Sequence, residues 1–149
     1  MFETVCSHSI SRSGTYFLPN YNDYLEHVSI HYDDIMILSE LGLIYNDALL
    51  IFQMQTTEDT RIVTSNNNLL MCQKRNSDTV TKFNIKQFPF TVVGREIASL
   101  KNICASNEDF IFFAQTVQKE NTNIDISIHK IIKDTENQVQ YETENLLNN

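Results

Sequence analysis

Leu38-Ser39-Glu40-Leu41-Gly42-Leu43-Ile44 and, farther along, Phe90-Thr91-Val92-Val93-Gly94-Arg95-Glu96-Ile97 decide how this chain is read. In the first stretch a helix ends at Gly42, which takes the left-handed conformation without steric cost, and Leu43 and Ile44 continue as core. In the second, Pro89 breaks the preceding element and Thr91 caps a new helix. Gly94 costs that helix about 1 kcal/mol of propensity. Its place so near the start predicts the close approach of another backbone.

Working outward, Asp33 and Asp34 sit in the first turn of the helix that ends at Gly42, where the macrodipole favours anions, with Ser29 or His31 as cap. Ile35, Leu38 and Leu41 fall on one face of it, predicting a core element with an acidic outer side. Tyr21 to Val28 reads as a short helix before it. Between the two quoted stretches the period changes to short runs rich in Ile, Val, Leu and Phe: 49–54, 61–64, 69–73 and 80–88. These predict three or four antiparallel strands, with 69–73 central because it is apolar throughout. Val80, Lys82 and Asn84 alternate with Thr81, Phe83 and Ile85, one wet face against one buried face. The intervening 55–60, 65–68 and 75–78 are turn-like.

After Thr91, the residues Val93, Ile97 and Leu100 recur at helical spacing, predicting a helix of about three turns that packs on the sheet through this stripe. A further helix runs from Asn107, read as its cap, to Glu120, with Phe110, Phe113, Ala114 and Val117 as its buried stripe. Ile124, Ile126 and Ile128 then alternate with Asp125, Ser127 and His129 as a half-buried strand. Residues 1–19 read as an irregular or short-stranded lead-in. The stretch 134–149 reads as an acidic, frayed tail, in which Val139 to Thr143 can add an edge strand. The expected organisation is one α+β domain over 2–133, an antiparallel three- to four-stranded sheet packed with about three helices. A polar lead-in running straight into a packed helix also reads as the carboxy-terminal part of something longer.

The 149 residues, 42% hydrophobic and 10% aromatic, suit one globular unit with its own core. With only three glycines and two prolines, turns must lean on asparagine, as at Asn66-Asn67-Asn68 and Asn121-Thr122-Asn123. The net charge of −8 argues against a surface that seeks nucleic acid or anionic lipid as a whole. Lys74, Arg75, Lys82, Lys86, Arg95 and Lys101 nevertheless make 74–101 locally basic. Three scattered cysteines, Cys6, Cys72 and Cys104, read as reduced thiols rather than a disulfide framework. The first residues show no basic segment followed by an apolar core, and no apolar run approaches the roughly 20 residues of a membrane span. The expected setting is soluble and cytoplasmic, without membrane contact.

Chemistry-bearing motifs are sparse. Cys6-Ser7-His8 offers two metal ligands where a tetrahedral site needs three or four, and Cys72 and Cys104 stand apart. His27 and His31 lack the glutamate of a zinc-protease helix and read as surface or capping residues. Asp33 and Asp34, being adjacent on a helix, point apart. Neither a Gly-x-Ser-x-Gly elbow nor a phosphate-cradling loop occurs. No catalytic residue, metal ligand or cofactor is therefore expected. The phenylalanines fall at helix or strand periodicity and read as core rather than as a base-stacking surface.

The two opening stretches, together with Ser29-Ile30-His31-Tyr32-Asp33-Asp34-Ile35, Pro89 and the early Val5-Cys6-Ser7, resemble the carboxy-terminal region of the bacterial proteins grouped as domain of unknown function 2806. The likeness runs over roughly residues 2 to 130. It implies no activity, cofactor or catalytic residue, and it implies a longer protein with another region in front. The same grammar resembles winged-helix domains, but the helix of residues 31–41 has no Lys or Arg with which to read DNA. The function expected from these readings is a non-catalytic interaction or oligomerisation module of a larger intracellular bacterial protein, with a protein partner or a second copy. The alternative is a winged-helix-like nucleic-acid-binding domain in which Lys74, Arg75, Lys82 and Lys86 make phosphate contacts.

Overall fold

The computed structural model describes residues 1–54, 60–74, 80–135 and 137–147. In chain order these form α1 (Phe2–Ser7), β1 (Ile10–Arg12), β2 (Thr15–Pro19), α2 (Asn22–His27), α3 (Tyr32–Glu40), β3 (Ala48–Met54), β4 (Thr60–Ser65), β5 (Leu69–Lys74), β6 (Thr81–Pro89), α4 (Val92–Lys101), α5 (Asn107–Glu120), β7 (Asp125–Thr135) and β8 (Gln138–Tyr141). The strands make two antiparallel four-stranded sheets, ordered β1-β2-β6-β3 and β4-β5-β7-β8. The α+β class is as expected, but the strands divide between two sheets. The reason is in the termini: the lead-in supplies a helix and the β1–β2 hairpin, and the end of the chain supplies a long β7 and its partner β8.

One core joins the sheets through α5. Phe113 meets Phe17 of β2 at 6.0 Å and Tyr24 of α2 at 6.1 Å between ring centroids. Phe110, Phe113, Ala114 and Val117 are buried, and Ile126 and Ile128 of β7 lie in the same cluster. The stripe expected for this helix is therefore the one that packs. Its cap is Ser106 rather than Asn107, with the Asp109 N–H donating to Ser106 Oγ at 3.2 Å. Asn107 Oδ1 instead accepts from Asn66 Nδ2 at 3.0 Å. Asparagines do close the turns: Asn66 Oδ1 accepts from the N–H groups of Asn68 and Leu69, and Asn121 both accepts from Asn84 N–H and donates to Asn84 O.

The two opening stretches are fastened directly to each other. Gly42 is left-handed at φ 75°, and the Thr91 hydroxyl donates to Gly42 O at 2.6 Å while its N–H donates to Leu43 O at 3.0 Å. Thr91 Oγ1 in turn accepts from Gly94 N–H at 3.1 Å, capping α4. A Cβ on Gly94 would lie 2.0 Å from Leu43 O, so the close backbone approach read from this glycine is present.

That approach reverses the expected orientation of α4. The residues turned inward are Gly94 and Ala98, while of the expected packing stripe Ile97 is half-buried and Val93 and Leu100 are 55% and 86% exposed. Small residues let the helix lie against the α3–β3 turn, and the large apolar ones are left outside. Leu41, expected in the core with Ile35 and Leu38, likewise sits outside, at the end of α3.

Two further expectations are corrected. Ser127 and His129 are buried, so the first half of β7 is covered on both faces rather than half-buried. Of the stretch 134–149 read as a frayed tail, the described residues 138–147 lie along β7. The expected edge strand is β8, Leu146 N–H donates to Ile128 O at 2.8 Å, Asn145 Oδ1 accepts from Ile128 N–H, and Leu147 is buried. The hydrogen bonds to Ile128 hold this polar segment against β7. As for the winged-helix likeness, the strand after the Gly42 turn is β3, and it pairs with β6 along its whole length at the edge of a four-stranded sheet.

Candidate functional site

Of the four positions singled out for phosphate contact, the three described ones lie on two strands of different sheets. Lys82 and Lys86 are exposed on the outward face of β6, opposite Gln53 and Leu49 of β3. Lys74 ends β5 in the other sheet, opposite Asp125. Arg75 lies outside the described residues. Beside Lys86 an open cleft of about 540 Å³ is lined in part by Asp23, Asp47, Leu49 and Glu120. Tyr21 anchors its floor by accepting from Lys86 N–H at 3.0 Å, and burial pushes the Tyr21 phenol upward from its ordinary value.

A second cluster is one that sequence reading missed. His8 Nδ1 lies 2.8 Å from Asp109 Oδ2 and His27 Nε2 lies 3.0 Å from Oδ1 of the same carboxylate. Two imidazoles thus each donate to one oxygen, and the His27 ring also stacks on Phe112 at 4.0 Å. Tyr24 Oη donates to His8 O at 2.7 Å, behind the clasp, and burial raises its phenol far above the usual range. The cluster ties the ends of α1 and α2 to the first turn of α5. The two ring nitrogens face the carboxylate rather than a common point, and among the described residues no group of His, Cys, Asp and Glu is placed to hold a metal ion. Cys6 is fully buried in the core. His31 stands at the N-cap of α3 without a side-chain cap bond. The separation of His8, His27 and Asp109 along the chain left no local spacing by which to find them.

The third arrangement is the pair Ser127 and His129. His129 Nδ1 lies 3.0 Å from Glu142 O, and a carbonyl only accepts, so Nδ1 carries the hydrogen. Nε2 is then the acceptor for the Ser127 hydroxyl at 2.7 Å. This is the polarity a base needs to activate a hydroxyl, but both residues are buried, and 142–147 run alongside β7 at this point. The chemistry these groups carry out in this state is structural, holding the end of the chain to the sheet. The alternating pattern around Ser127 and His129 contained the signal, because residues two apart on a strand share a face.

The thiols behave as interior groups. Burial, aided by the charge of Glu3, pushes Cys6 from 9.0 up to about 11, and burial likewise pushes Cys72 up to about 11. A thiol titrating higher in the folded chain than in the unfolded one favours the fold fully below pH 9 and loses that contribution as pH rises toward 11. Stability measured by denaturant is therefore expected to fall between these values, and to fall less steeply when Cys6 and Cys72 are both replaced by alanine. An unchanged slope in the double variant would rule out the thiols as its cause.

Fold and sites together define an α+β chain with two antiparallel sheets on one bridging helix, its polar clusters internally paired and its apolar residues at α4 and β3 left outside. Among the described residues no helix is long and apolar enough to cross a membrane. The family model described as "Protein of unknown function (DUF2806)" matches residues 19–115, and the chain belongs to that family. The match takes in both opening stretches and the Thr91 fastening between them. No curated protein and no solved structure gives a significant match.

Proposed function

We propose that this chain is a non-catalytic interaction or oligomerisation module of a larger intracellular bacterial protein. The observation that supports this reading is the orientation of α4. A helix on the surface of a self-contained unit turns its apolar stripe inward. Here Gly94 and Ala98 take the inward positions, and Val93 and Leu100 face outward within the family-matched segment. Large apolar side chains in a stripe on one helix are the usual anchors of a helix laid against a partner. Sedimentation or light scattering of the chain is expected to reveal self-association or binding to the rest of its protein. Val93→Lys with Leu100→Lys is expected to weaken binding to the rest of its protein about tenfold or more, because a docked ammonium must be desolvated. A strictly monomeric chain indifferent to that larger protein would refute the reading.

The nucleic-acid alternative has one observation behind it, the shared outward face of Lys82 and Lys86. Asp23, Asp47 and Glu120 around the cleft beside Lys86 would repel a phosphate backbone, which is why it ranks second. A random duplex added to the same runs at low salt separates the two.

A further inference from the structure

Resting on the interaction reading above, we infer that β3 is a self-pairing edge, and that its partner is the β3 of a second copy of this chain, antiparallel about a two-fold axis at Leu50.

The argument begins with which backbone groups are already used. On β6, Lys86 N–H donates to Tyr21 Oη and Lys86 O accepts from Asn20 N–H. Asn84 exchanges hydrogen bonds with the Asn121 side chain, and Lys82 O accepts from Asn123. These three residues therefore direct their backbone away from β3. In an antiparallel ladder the direction alternates, so Phe83, Ile85 and Gln87 face β3 and bond their register partners Phe52, Leu50 and Ala48. Leu49, Ile51 and Gln53 then face the open edge. Gln53 O accepts from the Arg61 guanidinium. Leu49 and Ile51 have no backbone partner on that side among the described residues.

Natural edge strands are normally protected by a charge, a proline or a bulge. Ala48–Met54 contains none of these, and Leu49, Leu50 and Ile51 are 58%, 38% and 61% exposed. The unpaired set, Leu49 and Ile51, is symmetric about Leu50. A two-fold there sets Leu49 opposite the copy's Ile51 in both directions, each pair exchanging both backbone bonds, with Leu50 facing its own counterpart in the non-bonded position. A register centred on Ile51 would instead spend Gln53, whose carbonyl is taken.

Side chains agree with this register. Leu49 and Ile51 of both copies form one apolar patch on the outer face, flanked in rows by Lys86 and Asn84. Gln53 comes opposite the copy's Asp47, which places that carboxylate two strand spacings, about 9.5 Å, from Lys82, so opposite charges converge. No charge of β3 itself opposes its copy, in a chain that carries −8 overall.

The test is cross-linking of the full chain in a Cys104→Ser background, Cys6 and Cys72 being buried. Leu50→Cys is expected to give a disulfide dimer under mild oxidation, since facing non-bonded positions lie within disulfide range. Leu49→Cys and Ile51→Cys alone are expected not to, and mixed together they are expected to link. Ile51→Lys, exposed and so compatible with folding by circular dichroism, is expected to weaken association about tenfold or more. Association that survives Ile51→Lys, or single cysteines at 49, 50 and 51 linking equally, overturns the β3 inference and leaves the interaction reading standing. A chain with no tendency to self-associate overturns the inference, and if it also ignores the rest of its protein, the broader reading falls with it.

Discussion

Gly94→Ala is expected to destabilise the chain by about 3 kcal/mol or more, a loss readable in the denaturant midpoint. The added methyl would sit 2.0 Å from Leu43 O, and that oxygen cannot retreat freely. It accepts from the N–H of Thr91, while the hydroxyl of the same residue holds the neighbouring Gly42 O. Relief must come from moving α4 bodily away from the α3–β3 turn, which breaks the cap and uncovers Ala98. Gly42→Ala is the instructive comparison. Nothing lies within 4 Å of a Cβ there, so only the left-handed conformation is penalised, at about 1–2 kcal/mol. Equal losses at the two glycines would mean that steric contact with Leu43 is not what requires Gly94.

Gln73→Met is expected to act in the opposite direction, raising stability by about 1–3 kcal/mol. Gln73 lies in the central strand β5 between Arg61 and Ile126, fully buried, and among the described residues neither its amide oxygen nor its amide nitrogen has a hydrogen-bond partner. Folding strips water from that amide and returns nothing. Methionine keeps the length and approximate volume and removes the dipole. A rise in Tm of several degrees is the expected readout for a chain of this size. A loss of stability on substitution would show that the amide is satisfied in solution, for instance by a water molecule.

The parts of the fold legible in the sequence were those governed by local rules. Gly42, Thr91 and Gly94 announced a turn, a cap and a close contact, and each has that role. The Phe110–Val117 stripe and the wet and dry faces of β6 followed from periodicity. Periodicity failed where the partner surface, rather than the helix, sets the orientation. For α4, a stripe of Val93 and Leu100 looks the same in sequence whether it meets this chain's own core or another surface, and only the Leu43 carbonyl decides. The strands of the second sheet were read, the edge strand at 139–143 among them, but their separation from the first sheet was not, because the pairing of β5 with β7 joins segments far apart in the chain and leaves no local signal. The clasp of Asp109 by His8 and His27 was illegible for a related reason: its members come from three different elements.

The two sheets finish at different moments of synthesis. Every strand of the first, β1, β2, β3 and β6, has left the ribosome soon after Pro89, so that sheet can assemble on the growing chain. The second is completed later, once Asn145 and Leu146 supply the hydrogen bonds that complete the backbone of Ile128. Until those residues emerge, Ser127 and His129 lack the neighbour that shields them. A nascent chain would therefore pass through a half-built stage with one finished layer and one open one, and that is the interval in which a chaperone would find most to hold.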